Sequence, residues 1–226
     1  MIATIHQPQY LPWLGYFDKI NRADVFVSLD TVQFKKNEFQ NRNRIKTSQG
    51  WQWLTVPVSY KHPQAIREVG VEEGSNWRHK HIQSIRTNYG KAPFFNRIAP
   101  SLEALLDREW SSLSPLNLES IRTLMDLLDI QTPVREAAGI EASENPTQRL
   151  VDICLHVGAE VYLSGAGGQS YLEMERFDAA GIRVEFQQFD HPAYPQLYGP
   201  FEPYMSAADL LFNVGPGSLS VLAGGG

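Results

Sequence analysis

The stretch MIATIHQPQYLPWLGYFDKINRADVFVSLD, Met1 to Asp30, decides the fold. Ile2, Ala3 and Ile5, with Thr4 among them, read as a buried strand. A loop carrying two prolines, His6 to Trp13, comes next, then an amphipathic segment from Leu14 and a second apolar strand, Val25 to Leu29. That order is a β-loop-α-β unit. In open α/β sheets ligands lie beyond the carboxyl ends of the strands, so the His6–Trp13 loop and the turn at Asp30 are expected together at one rim, with the site.

Working outward, residues 31–41 are polar and basic without a period. Arg42 to Thr47 and Trp51 to Val58 flank the turn Ser48-Gln49-Gly50 and predict a β-hairpin. A short strand is expected over Ile66–Val71. Apolar spacing predicts helices over Trp77–Tyr89, stopped at Gly90, over Leu102–Trp110, capped by Ser101, and over Leu116–Leu128. Residues 76–130 are thus expected as a helical lobe within a single domain, 1–226. Alternation then returns: a helix Pro146–Val157 ended by Gly158, a strand Val161–Leu163, a turn Gly165–Gly168, a helix Ser170–Ala180, and a strand Ile182–Phe189. A loop rich in Pro and Tyr, His191–Tyr204, precedes a helix from Ser206 to Phe212, and the last glycines are expected to fray. Strands separated by helices imply an α/β, Rossmann-like, mainly parallel sheet with helices on both faces, to which the β-hairpin is an insertion.

Composition narrows the classes. At 226 residues and 42% apolar content the chain can bury a sizeable core, and it shows no signal peptide and no run long enough for a membrane span. The one cysteine, Cys154, lies in an apolar segment and reads as a small buried hydrophobe, so a cytoplasmic location is expected. A net charge of −5 argues against bulk nucleic-acid binding, yet five of the 20 basic residues (Lys35, Lys36, Arg42, Arg44, Lys46) fall between Phe34 and Lys46. Arg42, Arg44 and Lys46 share one strand parity, so their cations can face an anionic ligand together. The alternative is an edge strand that carries charge only against aggregation.

The other chemical signal is Ser164-Gly165-Ala166-Gly167-Gly168 after a strand, where exposed amides could hold an anion or where the glycines merely make a tight connection. His6 ends the first strand and is a candidate general base, against the plainer reading of a hydrogen-bonded structural histidine. Asp30 ends the second, where it could act as a base, bind a hydroxyl or cap a turn. His79 and His81 diverge by about 200° on a helix and cannot share a metal from it. No metal site is supported and no cofactor is identified.

Several phrases in order along the chain resemble the bacterial WbqC-like family. They are Ile5-His6-Gln7-Pro8-Gln9-Tyr10-Leu11-Pro12-Trp13-Leu14-Gly15-Tyr16-Phe17, Asp30-Thr31-Val32-Gln33-Phe34, Asn41-Arg42-Asn43-Arg44-Ile45-Lys46, Lys91-Ala92-Pro93-Phe94-Phe95 and Tyr162-Leu163-Ser164-Gly165. That family is often encoded near surface-polysaccharide and O-antigen genes. The resemblance implies a role in making or decorating an unusual sugar, such as adding an aminoacyl or acyl group to an amino sugar. A weaker resemblance is to HxGH nucleotidyltransferases, with Trp13 and Tyr16 standing where both histidines would be.

The reading that follows is a transferase acting on a nucleotide-activated or anionic amino-sugar intermediate. His6 and Asp30 are its catalytic candidates. Gln7, Pro8, Tyr10, Trp13, Tyr16, Gln33, Arg42, Arg44, Lys46, Lys80, His81, Ser164, Gly165, Gly167 and Gly168 are its binding candidates. The expected partner is a small anionic substrate, a sugar nucleotide or an acyl donor. The alternative is a non-catalytic sugar-nucleotide binding or scaffold subunit of the same pathway.

Overall fold

A computed structural model describes residues 1–72 and 74–224. Its centre is a five-stranded, all-parallel sheet built from β1 (Ile2–His6), β2 (Val25–Ser28), β7 (Val134–Glu136), β8 (Val161–Ser164) and β9 (Arg183–Phe186), in the order β7-β2-β1-β8-β9. The chain lays down β1, β2 and β7 in one direction, then returns to place β8 against the other side of β1. This is the doubly wound order, and the reversal between β1 and β8 opens a crevice at their carboxyl ends.

Strand alternation sorts the side chains. Ala3, Ile5, Val25, Val27 and Tyr162 join a core with α5 (Pro146–Val157) and α6 (Met174–Ala179), whereas Phe26 points to the opposite core. That second core is larger. It takes in α1 (Leu14–Asn21), α2 (Trp77–Tyr89), α3 (Phe95–Asp107), α4 (Leu113–Leu128), α7 (Ala207–Val214) and α8 (Ser218–Ala223), so both faces of the sheet are covered. The hairpin is present as β3 (Arg42–Thr47) and β4 (Gly50–Thr55). With the helices α2 to α4 it occupies the long connection from β2 to β7. Cys154 is fully buried among apolar groups, which push its thiol up to about 12, so it packs as a hydrophobe. No helix among the described residues is long and apolar enough to cross a membrane.

Five local expectations are corrected. The second hairpin arm stops at Thr55, before Pro57, and Val58–Ser59 (β5) pairs instead with Gly70–Val71 (β6). The strand expected over Ile66–Val71 is thereby shortened, because Ile66–Glu68 winds as a 3-10 turn. The helix expected over Leu102–Trp110 with Ser101 as its cap instead begins at Phe95, runs through Pro100 and ends at Asp107; burying Ile98, Ala99, Leu102, Leu105 and Leu106 on one face outweighs the one lost backbone bond. The helix expected from Ser170 starts only at Met174. The C-terminal segment carries a further helix, α8, and the expected fraying falls on Gly225 and Gly226, outside the described residues.

Candidate functional site

β1 delivers His6 to the rim, and Leu29 N–H donates to the His6 carbonyl at 2.8 Å, which brings the Asp30 turn alongside. Between them the loop from Gln7 to Trp13 is held on every side. Asn43 Nδ2 donates to the carbonyls of Tyr10 (3.3 Å) and Leu11 (2.8 Å), and Asn117 Nδ2 to those of Pro8 (3.2 Å) and Gln40 (2.7 Å). Leu11 N–H donates to Ser120 Oγ at 3.2 Å. These anchors sustain Leu11 at φ 43, a left-handed conformation costing roughly 1 kcal/mol or more in a residue with a Cβ. The loop is fixed before any ligand arrives.

His6 Nδ1 donates to the Gln7 carbonyl at 3.0 Å, so the proton sits on Nδ1 and the Nε2 lone pair is left to accept. Its ring meets Tyr16 edge to face, centroids 4.9 Å apart, and the Tyr16 hydroxyl donates to the same Gln7 carbonyl. Burial and, secondarily, the nearby ammonium of Lys19 push His6 down to about 3. Lys19 is itself 3% exposed, and burial brings it down to about 7. Among the described residues its Nζ makes no hydrogen bond or ion pair, so the rim holds a cationic group without a counter-charge. Sequence reasoning missed Lys19. The available signal was a helix, α1, apolar on all sides yet carrying Asp18 and Lys19.

Asp30 is 6% exposed; one oxygen accepts from Ser114 Oγ at 2.6 Å and Oδ1 has no partner. Ser114 and Asn117 are neighbours on α4, and Asn117 Oδ1 is also buried without a partner, as is Gln9 Oε1 in the loop. Each orphaned acceptor calls for a donor, such as a hydroxyl or amino group of a ligand.

The glycine stretch behaves differently from expectation. Ala166–Ser170 winds as a 3-10 turn and not as a helix start. Ser164 is buried at the end of β8, and a Cβ on Gly168 would overlap its Oγ and come within 3.1 Å of Leu172, so Gly168 is required by packing. A Cβ on Gly165 or Gly167 would meet nothing within 4 Å.

The remaining candidates scatter. Tyr10 is fully buried with its hydroxyl 2.9 Å from His81 Nδ1, and His81 is 6% exposed and lowered to about 4 by burial. This pair ties the β1 loop to α2 inside the protein. Lys80 is exposed beside it, and Gln33 is exposed with Nε2 2.6 Å from His62 Nε2. Pro8 is buried; Gln7 Oε1 accepts from Gln40 at 2.6 Å. Trp13 folds over Gly15, where a Cβ would overlap the indole, and stands among Phe189, His191 and Tyr204 with centroids 5.6 to 6.5 Å away.

The hairpin cations divide. Lys46 is 2% exposed and donates to Gln196 Oε1 (2.9 Å) and the Pro200 carbonyl, which spends its charge on the His191–Tyr204 loop. That loop is also gripped by Asp209, wholly buried on α7. Its carboxylate accepts from Tyr89 (2.7 Å), Tyr194 (3.0 Å) and Gln196 (2.8 Å), and burial raises its pKa. Arg42 and Arg44 remain on the solvent side.

Among the described residues no three His, Cys, Asp or Glu side chains converge as a metal-binding group. In comparisons with known proteins, the model of the WbqC-like protein family matches residues 7–221. The chain is similar to the uncharacterized protein Rv1507c of Mycobacterium tuberculosis, 40% identical over 217 residues that cover 94% of each chain. No solved structure matches it.

Proposed function

The chain belongs to the WbqC-like family, and from that membership we propose a transferase acting on a nucleotide-activated or otherwise anionic amino-sugar intermediate of bacterial surface polysaccharide. The transferred group is an aminoacyl or acyl group. The observation that carries this reading is the Asp30 carboxylate, buried one strand from His6 with one oxygen on Ser114 and the other unpartnered. A sugar hydroxyl or amine supplies the donor that Oδ1 lacks.

In this reading the sugar amine attacks the acyl carbon, the bond to the acyl carrier breaks, and His6 Nε2 takes the proton the amine sheds. The imidazole is a weak base while the site is empty, because burial and Lys19 disfavour its cation. An anionic substrate near Lys19 offsets that positive charge and raises the basicity of His6 when the proton has to move. The hairpin guanidiniums and the Gly165–Gly167 amides hold the anionic part.

Measured with a panel of amino sugars and acyl donors, His6→Asn is expected to lower turnover about 10²-fold or more with little change in affinity. Loss of folding without a specific loss of turnover would leave His6 structural. The low basicity of His6 also favours a second reading, a non-catalytic sugar-nucleotide binding or scaffold subunit. Thermal protection by a nucleotide sugar with no consumption of any donor would select that one.

A further inference from the structure

On the hairpin, residues of β3 and β4 pair as Arg42 with Thr55 and Arg44 with Trp53 toward solvent, while Lys46, opposite Trp51, is buried. The Arg42 guanidinium lies 4.2 Å from the ring centroid of Trp53, and that of Arg44 lies 5.1 Å from Trp51 and 5.8 Å from Trp53. The two indoles stand 5.5 Å apart at 81°, and Trp51 is 42% exposed. A guanidinium over an indole can still present its two terminal Nη groups to a carboxylate bidentately.

Two facts argue that this face is built for an occupant. Among the described residues neither Arg42 nor Arg44 has a carboxylate within ion-pair distance, in a chain of net charge −5 where acids outnumber bases. Both Nε groups are also shut away from water without an acceptor, an arrangement that costs stability. Arg44 Nη2 does donate to the Tyr204 carbonyl at 3.2 Å, and the 49% exposed Tyr204 packs against Trp13 at 5.6 Å. Tyr204 thereby links the hairpin to Trp13 of the β1 loop.

We propose that this face binds an acidic saccharide chain, with a pyranose ring laid on the exposed Trp51 and ring carboxylates on Arg42 and Arg44, which Trp53 holds in place. The indole faces are electron-rich and attract the slightly positive C–H face of a sugar ring, while the guanidiniums select for charge. Successive cations on a strand face are roughly 6.8 Å apart, so the two arginines together serve more than one sugar unit. Single-stranded nucleic acid also stacks on aromatic residues, but its affinity depends on neutralising many phosphates, and this face offers two uncommitted cations. The proposal extends the transferase reading by placing the growing or accepting glycan, and it can fail separately, because the rim chemistry is read on small amino sugars.

Calorimetric titration of the full chain with an oligogalacturonate, a neutral malto-oligosaccharide of equal length and a single-stranded oligouridylate tests it. Saturable binding of the oligogalacturonate is expected, with no heat from the neutral chain. Trp51→Ala should weaken it at least fivefold and Arg42→Gln comparably, while Arg42→Lys, which keeps the charge and loses the fork, falls between. His6→Asn should leave it unchanged. Each variant is checked for an unaltered thermal transition, and Trp51→Phe replaces any that unfolds. Absence of acidic-saccharide binding, equal binding of the neutral chain, tighter binding of the RNA, or affinity untouched by the hairpin variants would each overturn the proposal.

Discussion

At the sheet rim His6, Tyr16, Lys19, Asp30 and Ser164 lie under helices and loops, and on the hairpin Arg42, Arg44, Trp51 and Trp53 lie on the surface. Both regions are dense in polar chemistry, yet they manage charge in opposite ways. At the rim, desolvation holds His6 neutral down to about 3 and weakens the hold of Lys19 on its proton. On the hairpin the guanidiniums rest on indoles at the surface. The difference teaches where a ligand's charge acts. An anion reaching the rim changes protonation states there, while an anion on the hairpin meets guanidiniums stacked on indoles.

The pH dependence of stability separates the two regions by the largest margin. His6 and His81 have folded-state values of about 3 and about 4 against 6.5 when unfolded. As pH falls below 6.5 the unfolded chain takes up protons that the folded chain refuses, so stability is full above 6.5 and is lost toward 4. Urea unfolding between pH 7 and pH 4 should show a loss of up to about 6 kcal/mol from these two groups together. His6→Asn should flatten part of that slope, while Arg42→Ala should leave it alone. Lys19 continues the trend upward: its folded value lies near 7 and its unfolded value near 10.5, so the penalty of its buried cation is relieved as pH rises between them. A wild-type stability that is flat from pH 7 to pH 4 would break the contrast.

The sequence made much of the hairpin face legible and little of the rim's electrostatics. Parity alone put Arg42, Arg44 and Lys46 on one side, because alternation in a strand is a strict geometric rule. The helix limits at α2 and α5 were equally readable: Gly90 ends the first, and in the second Asn145 caps Gln148 N–H and Gly158 takes φ 77. Short elements were not readable. β7 offers one half-buried residue, Val134, between exposed ones, and it is a strand only because β2 lies beside it. Lys46 and Tyr10 looked available to a ligand, but Gln196 and His81, each more than 70 residues away, occupy their polar atoms. Asp209 carried no local signal, since its partners are Tyr89, 120 residues away, and Tyr194 and Gln196 of the preceding loop.

A smaller effect sharpens the comparison at the glycine turn, where Gly168 is buried and Gly167 exposed. Gly168→Ala should cost about 1–3 kcal/mol, since its Cβ would overlap Ser164 Oγ and press on Leu172 and Phe186 in a packed interior. Gly167→Ala has open space and should change stability by less than about 0.5 kcal/mol. Thermal unfolding of both variants makes the test. Equal losses would mean that the turn is strained as a whole, and the ligand role of the Gly165–Gly167 amides would lose its support.

The smallest expected effect lies on the hairpin, where it measures how far the surface stacking is structural. Arg42 and Trp53 face each other at 4.2 Å on a half-exposed surface, a geometry worth about 0.5–1 kcal/mol. A double-mutant cycle with Arg42→Ala and Trp53→Ala isolates that term, since Trp53→Ala alone also removes packing against Phe39. A coupling inside that range would mean that the stacking orients the guanidinium and adds little to folding, leaving its N–H edge for an outside anion. A coupling of about 2 kcal/mol or more would place the pair with desolvated structural contacts. The hairpin would then resemble the rim, with its charge committed inward, and the contrast between an open cationic face and a closed neutral site would fall.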